Sequence, residues 1–131
     1  MATTTVGLTV TSSDLTSDSI SLSSTMTLTK AGTSTGLDQT TGLASRYFSG
    51  ITAATTLFTA ASYTDNKSHK IYVKNTSTSD TDAIEIQVSP TAIGKLYGGD
   101  WAFFPWNGDA DFKVATEASG ITVEFMLIYE A

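Results

Sequence analysis

The sequence predicts an all-β protein: an antiparallel β-sandwich or jelly-roll-like fold, led by an extended Thr/Ser-rich N-terminal segment. Three observations carry this. First, 24 Thr and 16 Ser stand among 131 residues, and β-branched Thr suits a pleated, half-buried surface better than a helix. Second, apolar and polar residues alternate with period 2 in segment after segment, the pattern of strands with one buried face. Third, such segments recur at a spacing of about 8–12 residues, as in sandwiches and jelly rolls, with no amphipathic helix of useful length between them. At this length the chain fits one domain, and folding buries about two-thirds of the unfolded surface, enough for a core without metal or disulfide staples.

Composition shifts near position 46. It divides a Thr/Ser-rich arm with strands, residues 1–45, from an aromatic-containing sandwich core, residues 46–131, within a single domain overall. All thirteen Phe, Tyr and Trp fall between Tyr47 and Tyr129. Polar composition alone would make the arm a disordered tail. Against that, Val6, Leu8 and Val10 alternate with Thr5, Thr9 and Thr11. Ile20, Leu22, Met26 and Leu28 likewise alternate with Ser21, Ser23, Thr25, Thr27 and Thr29, with Ser24 the polar member of the first set. These read as strands, with ordering of residues 1–15 only against a partner as the alternative. Residues 30–50 carry four glycines and no period, so they read as a loop, with a single helical turn around Leu43–Tyr47 as an alternative within it.

Beyond Ile51–Tyr63, a short strand or two, comes the polar turn Thr64–Lys67. Ile71 and Val73 then alternate with Lys70, Tyr72 and Lys74; Ile84, Ile86 and Val88 alternate with Glu85, Gln87 and Ser89. The turn-forming linker Asn75–Asp82 suggests that these two strands form a hairpin, and Pro90 closes the second because it cannot donate to a ladder. Residues 97–108 gather Tyr97, Trp101, Phe103, Phe104 and Trp106 between glycines, with Pro105 marking an edge strand or bulge. Phe112 and Val114 form another strand. The last, from Ile121 to Tyr129, is apolar on both faces, which places it centrally or against a second chain. The expected core is Ile71, Val73, Ile84, Ile86, Val88, Phe112, Val114, Ile121, Val123, Phe125 and Leu127.

Charge and composition argue against several function classes. Seven basic and thirteen acidic residues give a net charge of −6; with no Lys/Arg cluster to replace phosphate counterions, no nucleic-acid partner is expected. The longest apolar run, Phe125–Tyr129, is too short to span a bilayer, so no membrane partner is expected either. The first basic side chain is Lys30, so no charged n-region of a secretory signal is expected. Without cysteine and with a single histidine, disulfides, thiol catalysis and clustered zinc ligands are excluded.

Individual motifs favour structural roles. His69, between Ser68 and Lys70, reads as a solvated surface histidine; no G-x-S-x-G elbow accompanies it. The carboxylates sit mostly in turns, where Asp bonds its own backbone, rather than as an acid/base pair. Asn107, Asp109 and Asp111 open like a calcium loop, but Phe112 and Ala118 stand where that loop needs Gly and Glu. Repeated T-x-T spacings lack the fixed structural repeat that an ice-binding face requires. The sequons at Asn66 and Asn75 matter only in a secretory pathway. No catalytic residue, cofactor or metal is expected, and the chain does not read as an enzyme. Core packing is the default reading for part of the aromatic run at 101–106; because six large apolar groups near an edge exceed what one small core readily hides, a protein–protein interface is the next reading and a sugar-stacking platform the third.

The Thr-rich start (MATTTVGLTVTSSDLTSDSISLSSTMTLTKAGTSTGLDQTTGL), IYVKNTS, LYGGDWAFFPW and the closing VEFMLIYE together resemble small virion structural proteins of tailed bacteriophages, especially those infecting marine cyanobacteria. The likeness lies in texture and segment order over nearly the whole chain, and it brings no catalytic motif or individual residue role. It implies a virion protein assembled in the bacterial cytoplasm: a head decoration (cement) protein on the major capsid protein lattice, or a tail or fibre component binding a receptor or glycan. A decoration role further implies self-association, with a trimer favoured, since closed symmetry lets each copy bury the same edge. The interface candidates are Val6, Leu8, Val10, Tyr97, Trp101, Phe104 and Trp106.

Overall fold

The computed structural model describes residues 2–131. Eleven strands form in chain order: β1 (Thr5–Ser12), β2 (Ile20–Thr27), β3 (Gln39–Thr40), β4 (Ala44–Phe48), β5 (Thr52–Phe58), β6 (His69–Asn75), β7 (Ala83–Val88), β8 (Thr91–Tyr97), β9 (Trp101–Trp106), β10 (Phe112–Thr116) and β11 (Ile121–Tyr129). The helix among the described residues is one 3-10 turn, Ala60–Ser62. The all-β expectation holds.

Two antiparallel sheets pack together. One runs β5-β10-β7-β8; the other runs from β3 through β11 and β6 to β9, with β4 also paired to β11. The pairs β4–β11, β5–β10, β6–β9 and β7–β8 nest inside one another, which is the winding of a jelly roll. Alternation explains the core directly. Phe58, Ile84, Ile86, Phe112 and Val114 from the first sheet meet Phe48, Ile71, Val73, Trp106, Ile121, Val123 and Leu127 from the second. Val88 and Phe125, expected inside, lie half-buried against this cluster.

Strand β11 is central, as its two apolar faces suggested: β6 flanks one side and β3 and β4 the other. Its outer-face residues Met126 and Ile128 line a cleft with Ala2, Thr4 and Leu37 of the same chain, so the N-terminal segment shares the site where a second chain was an alternative.

Two expectations are corrected. The strands flanking Asn75–Asp82 are not a hairpin: β6 and β7 belong to opposite sheets, and the linker crosses between them. Both strands alternate alike, and period 2 does not say which sheet a strand joins. The buried Asn75 fixes the crossover, its Nδ2 donating to the carbonyls of Asp82 and Leu96 at 3.0 Å each and its Oδ1 accepting the Ser77 N–H. Residues 30–50 are not all loop, because β3 and β4 both add to β11, and the helical turn at Leu43–Tyr47 is strand instead. The boundary at 45/46 falls inside β4, and Leu28 and Leu37 of the Thr/Ser-rich part are fully buried. These two anchor the segment: the Leu28 N–H donates to the Thr4 carbonyl and the Leu37 N–H to the Leu28 carbonyl. Gly36 permits the close approach, since a Cβ there would overlap the Ala2 carbonyl oxygen.

Candidate functional site

Strands β1 and β2 form a two-stranded ribbon paired without a break from Thr5↔Thr27 to Ser12↔Ile20. Because Val6 pairs with Met26, Leu8 with Ser24 and Val10 with Leu22, the apolar members of both strands share one face. The hydroxyl members share the other. Neither strand belongs to a sheet of the jelly roll. At the ribbon's base Val6, Leu8 and Met26 face Trp101 and Phe103 across a cleft of about 210 Å³. The apolar face is left open to solvent: Leu8, Val10, Leu22 and Met26 are 42%, 43%, 48% and 44% exposed, and Trp101 is 52% exposed.

The interface candidates therefore separate. Val6, Leu8 and Trp101 come together at the cleft, with Val10 further along the same ribbon face. Tyr97 is exposed at the end of β8, on the other sheet, its N–H held by the Asp100 carboxylate at 3.0 Å. Phe104 points the opposite way from Trp101 and Phe103, half-buried, its ring 5.6 Å from that of Phe112. Trp106 is 4% exposed. It cannot offer its ring to a partner, because alternation along β9 turns Phe104 and Trp106 to the core and Trp101 and Phe103 outward. Leu22, Met26 and Phe103 belong to the surface but were not among the interface candidates read from the sequence. The signal was there, in the matching apolar sets of residues 6–10 and 20–28, once the two segments are paired.

Trp106 instead closes an aromatic box at one end of the core, edge-on to Tyr63 at 5.7 Å and to His69 at 5.4 Å, with Tyr129 stacked 6.3 Å from His69. The indole N–H donates to the Ala110 carbonyl at 2.9 Å. His69 is 1% exposed, not a surface residue; period 2 puts it on the same face as Ile71 and Val73. Its Nδ1 lies 3.0 Å from the Lys67 carbonyl, an acceptor only, so Nδ1 carries the proton. Nε2 has no partner.

Polar groups elsewhere serve the fold. Glu130 Oε2 accepts the N–H groups of Ala31 and Ser68 at 2.9 and 3.2 Å, and those bonds, aided by Lys67, hold its carboxyl below the ordinary range. Burial, then the bond to Glu124 at 2.8 Å, pushes the Tyr72 phenol up. Asp111 accepts the Ala60 N–H at 2.8 Å while Asn107 bonds Asp109, so the three residues of the abortive calcium pattern do not converge. Among the described residues no group of three or more His, Cys, Asp or Glu is placed to hold a metal, and no helix is long and apolar enough to cross a membrane. Comparison with protein-family models, curated proteins and solved structures finds no match for the chain.

Proposed function

We propose that this chain is a virion structural protein that decorates the outer head surface of a tailed bacteriophage, binding the major capsid protein lattice as a homo-oligomer, most simply a trimer. One observation carries the reading: a compact jelly roll bears an amphipathic ribbon and an exposed tryptophan that leave an apolar surface open. Surfaces of that kind mark sites of assembly. The jelly roll occurs in viral coats and lectins alike, so the fold does not choose between them. The likeness of the segments quoted above to phage structural proteins favours the coat, and a cleft lined by Val6, Leu8, Met26, Trp101 and Phe103 rather than by a polar sugar cradle supports the same reading. The acidic balance speaks against adhesion by charge, so apolar contacts at Trp101 and the ribbon account for the affinity.

The trial mixes purified protein with undecorated heads and counts bound copies. Saturation at a number set by the lattice, retained in moderate salt and reduced at least tenfold by Trp101→Ala, is the expected result. Attachment to tails or host glycans without head binding would transfer the function to a receptor-binding component.

A further inference from the structure

We infer that the free edge of β9, overhung by the far half of the β1–β2 ribbon, is a slot for one extended segment of a partner chain, aliphatic at alternate positions and flanked by Lys or Arg. The inference deepens the assembly reading above and rests on it only for the source of that segment.

The path of the ribbon places the overhang. Thr4, at its root, shares a cleft with Met126 and Ile128 of β11. Met26 shares the next with Lys70 of β6 and with Phe103 and Pro105 of β9. Leu8 then meets Trp101 and Phe103 of β9. The order β11, β6, β9 is the order of strands in the sheet, with β9 at its end, so the ribbon crosses the sheet toward that edge. Val10 and Leu22, the next apolar pair along the ribbon, come after the last strand. At 43% and 48% exposure they have no strand beneath them.

The backbone of β9 supplies the docking groups. The Asn75 N–H donates to the Asp100 carbonyl at 3.0 Å, which makes Asn75 and Asp100 a bonded pair. Alternation then makes Lys74↔Trp101, Tyr72↔Phe103 and Lys70↔Pro105 non-bonded pairs, and Pro105, with no N–H to give, agrees. The N–H and C=O groups of Trp101 and Phe103 therefore point away from β6, out of the free edge. An antiparallel strand laid there exchanges two bonds with each of them before Pro105 stops the ladder. Its residues opposite Trp101 and Phe103 turn to the same side as those rings, against Val10 and Leu22, and so are aliphatic. The other edges of the jelly roll are blunted: β5 and β8 pair with their neighbours through register shifts, and β3 is two residues long.

Charge selects the flanks of the segment. The carboxylates of Asp100, beside Trp101, and of Asp14 and Asp18, in the ribbon's turn, are exposed and have no cationic partner among the described residues. A second copy, itself of net charge −6, is repelled there, whereas Lys or Arg on either side of an aliphatic stretch is attracted. Charge steers the segment in, and main-chain pairing with apolar cover holds it.

The probe is a synthetic peptide, Lys-Lys-Thr-Val-Thr-Val-Thr-Lys-Lys, titrated into the full chain at low salt while the backbone amides are followed by NMR. Saturable binding is expected, with new hydrogen-exchange protection at Trp101 and Phe103. N-methylation of both valines removes the donors that face β9 and should weaken binding about tenfold; N-methylation of the threonine between them, whose N–H faces away, should cost less than about twofold. Exchanging the lysines for glutamates should weaken binding about tenfold at low salt. Val10→Ser with Leu22→Ser, at exposed positions outside the core, should also weaken it about tenfold, and Thr9→Ala on the hydroxyl face should leave it unchanged. Absence of binding, indifference to the position of N-methylation, or equal binding of the glutamate-flanked peptide overturns the inference. So does protection of Trp101 and Phe103 that rises with protein concentration in the absence of peptide, which would make the occupant a second copy. Heads that bind the chain while the peptide does not would remove the slot and leave decoration standing; a bound peptide without head binding would do the reverse.

Discussion

The two tryptophans of this chain sit five residues apart on one strand and should behave oppositely. Trp106 is enclosed by Phe58, Tyr63 and His69, with ring centroids 6.2, 5.7 and 5.4 Å away, and its indole N–H is bonded to Ala110. Replacing it with alanine removes a large buried ring, several edge-on contacts and a hydrogen bond. Truncations of this kind cost about 3–5 kcal/mol. For a domain of this size each kcal/mol lowers Tm by about 3–6 °C, so Trp106→Ala should melt roughly 10–25 °C below wild type. Trp106→Phe keeps most of the packing and should cost about 1–2 kcal/mol. Trp101, half exposed over the cleft, has far less to lose; Trp101→Ala should cost about 1 kcal/mol or less while weakening assembly. Calorimetry measures the first pair of quantities, and iodide quenching checks the geometry. In Trp101→Phe the remaining fluorophore should be blue-shifted and shielded; in Trp106→Phe it should be red-shifted and quenched. Equal destabilisation by the two alanine variants, or equal quenching, would refute the opposite facing of the two rings along β9.

Other consequences follow from the buried polar groups. His69→Phe removes both the bond to the carbonyl of Lys67, an exposed residue, and the unpartnered Nε2, so it should stay within about 1 kcal/mol of wild type, whereas His69→Ala should cost about 3 kcal/mol in denaturant unfolding. Asn75→Ala strips the Asp82 and Leu96 carbonyls of their shared donor and should cost about 2–4 kcal/mol; Asn75→Asp, which supplies no donor, should rescue nothing. Glu130 is held below the ordinary carboxylate range by Ala31 and Ser68. Its stabilisation is therefore complete above the unfolded value, about 4.3, and fades as pH falls through the folded value. The amide shifts of Ala31 and Ser68 should move together with a midpoint below that of a free glutamate, and a midpoint at or above it would contradict the assignment.

How much was legible depended on what each residue's pattern could encode. Alternation at Ile71/Val73, Ile84/Ile86, Phe112/Val114 and Ile121/Val123 reported the burial of strand faces correctly, because one-sided burial is what a period of 2 records. It could not report partners. The crossover at Asn75–Asp82 looked like a hairpin because turn-forming residues serve a link between sheets as well as one within a sheet. The true hairpin of β7 and β8 hid behind Pro90, which ends one strand and also fits the turn into the next. His69 and Trp106 were misplaced for a related reason. Their neighbours Lys70 and Pro105 suggested an exposed edge, and on an edge strand only every second residue is exposed. Leu28 and Leu37 drew little notice amid Ser and Thr, yet they dock the ribbon's base. The ribbon itself was half visible: both strands were legible, but the single apolar face exists only once Val6 meets Met26 and Val10 meets Leu22.

The central claim is that the ribbon and Trp101 form an assembly surface for a virion lattice. Electron cryomicroscopy of particles carrying this chain, combined with quantitative mass spectrometry of purified virions, tests it most directly. The account predicts density for a three-copy jelly roll on the outer head surface at local threefold positions, in a number matching those positions, with Trp101 and the ribbon at the contact with the lattice. A handful of copies confined to the tail, or particles that lack the chain altogether, would contradict it.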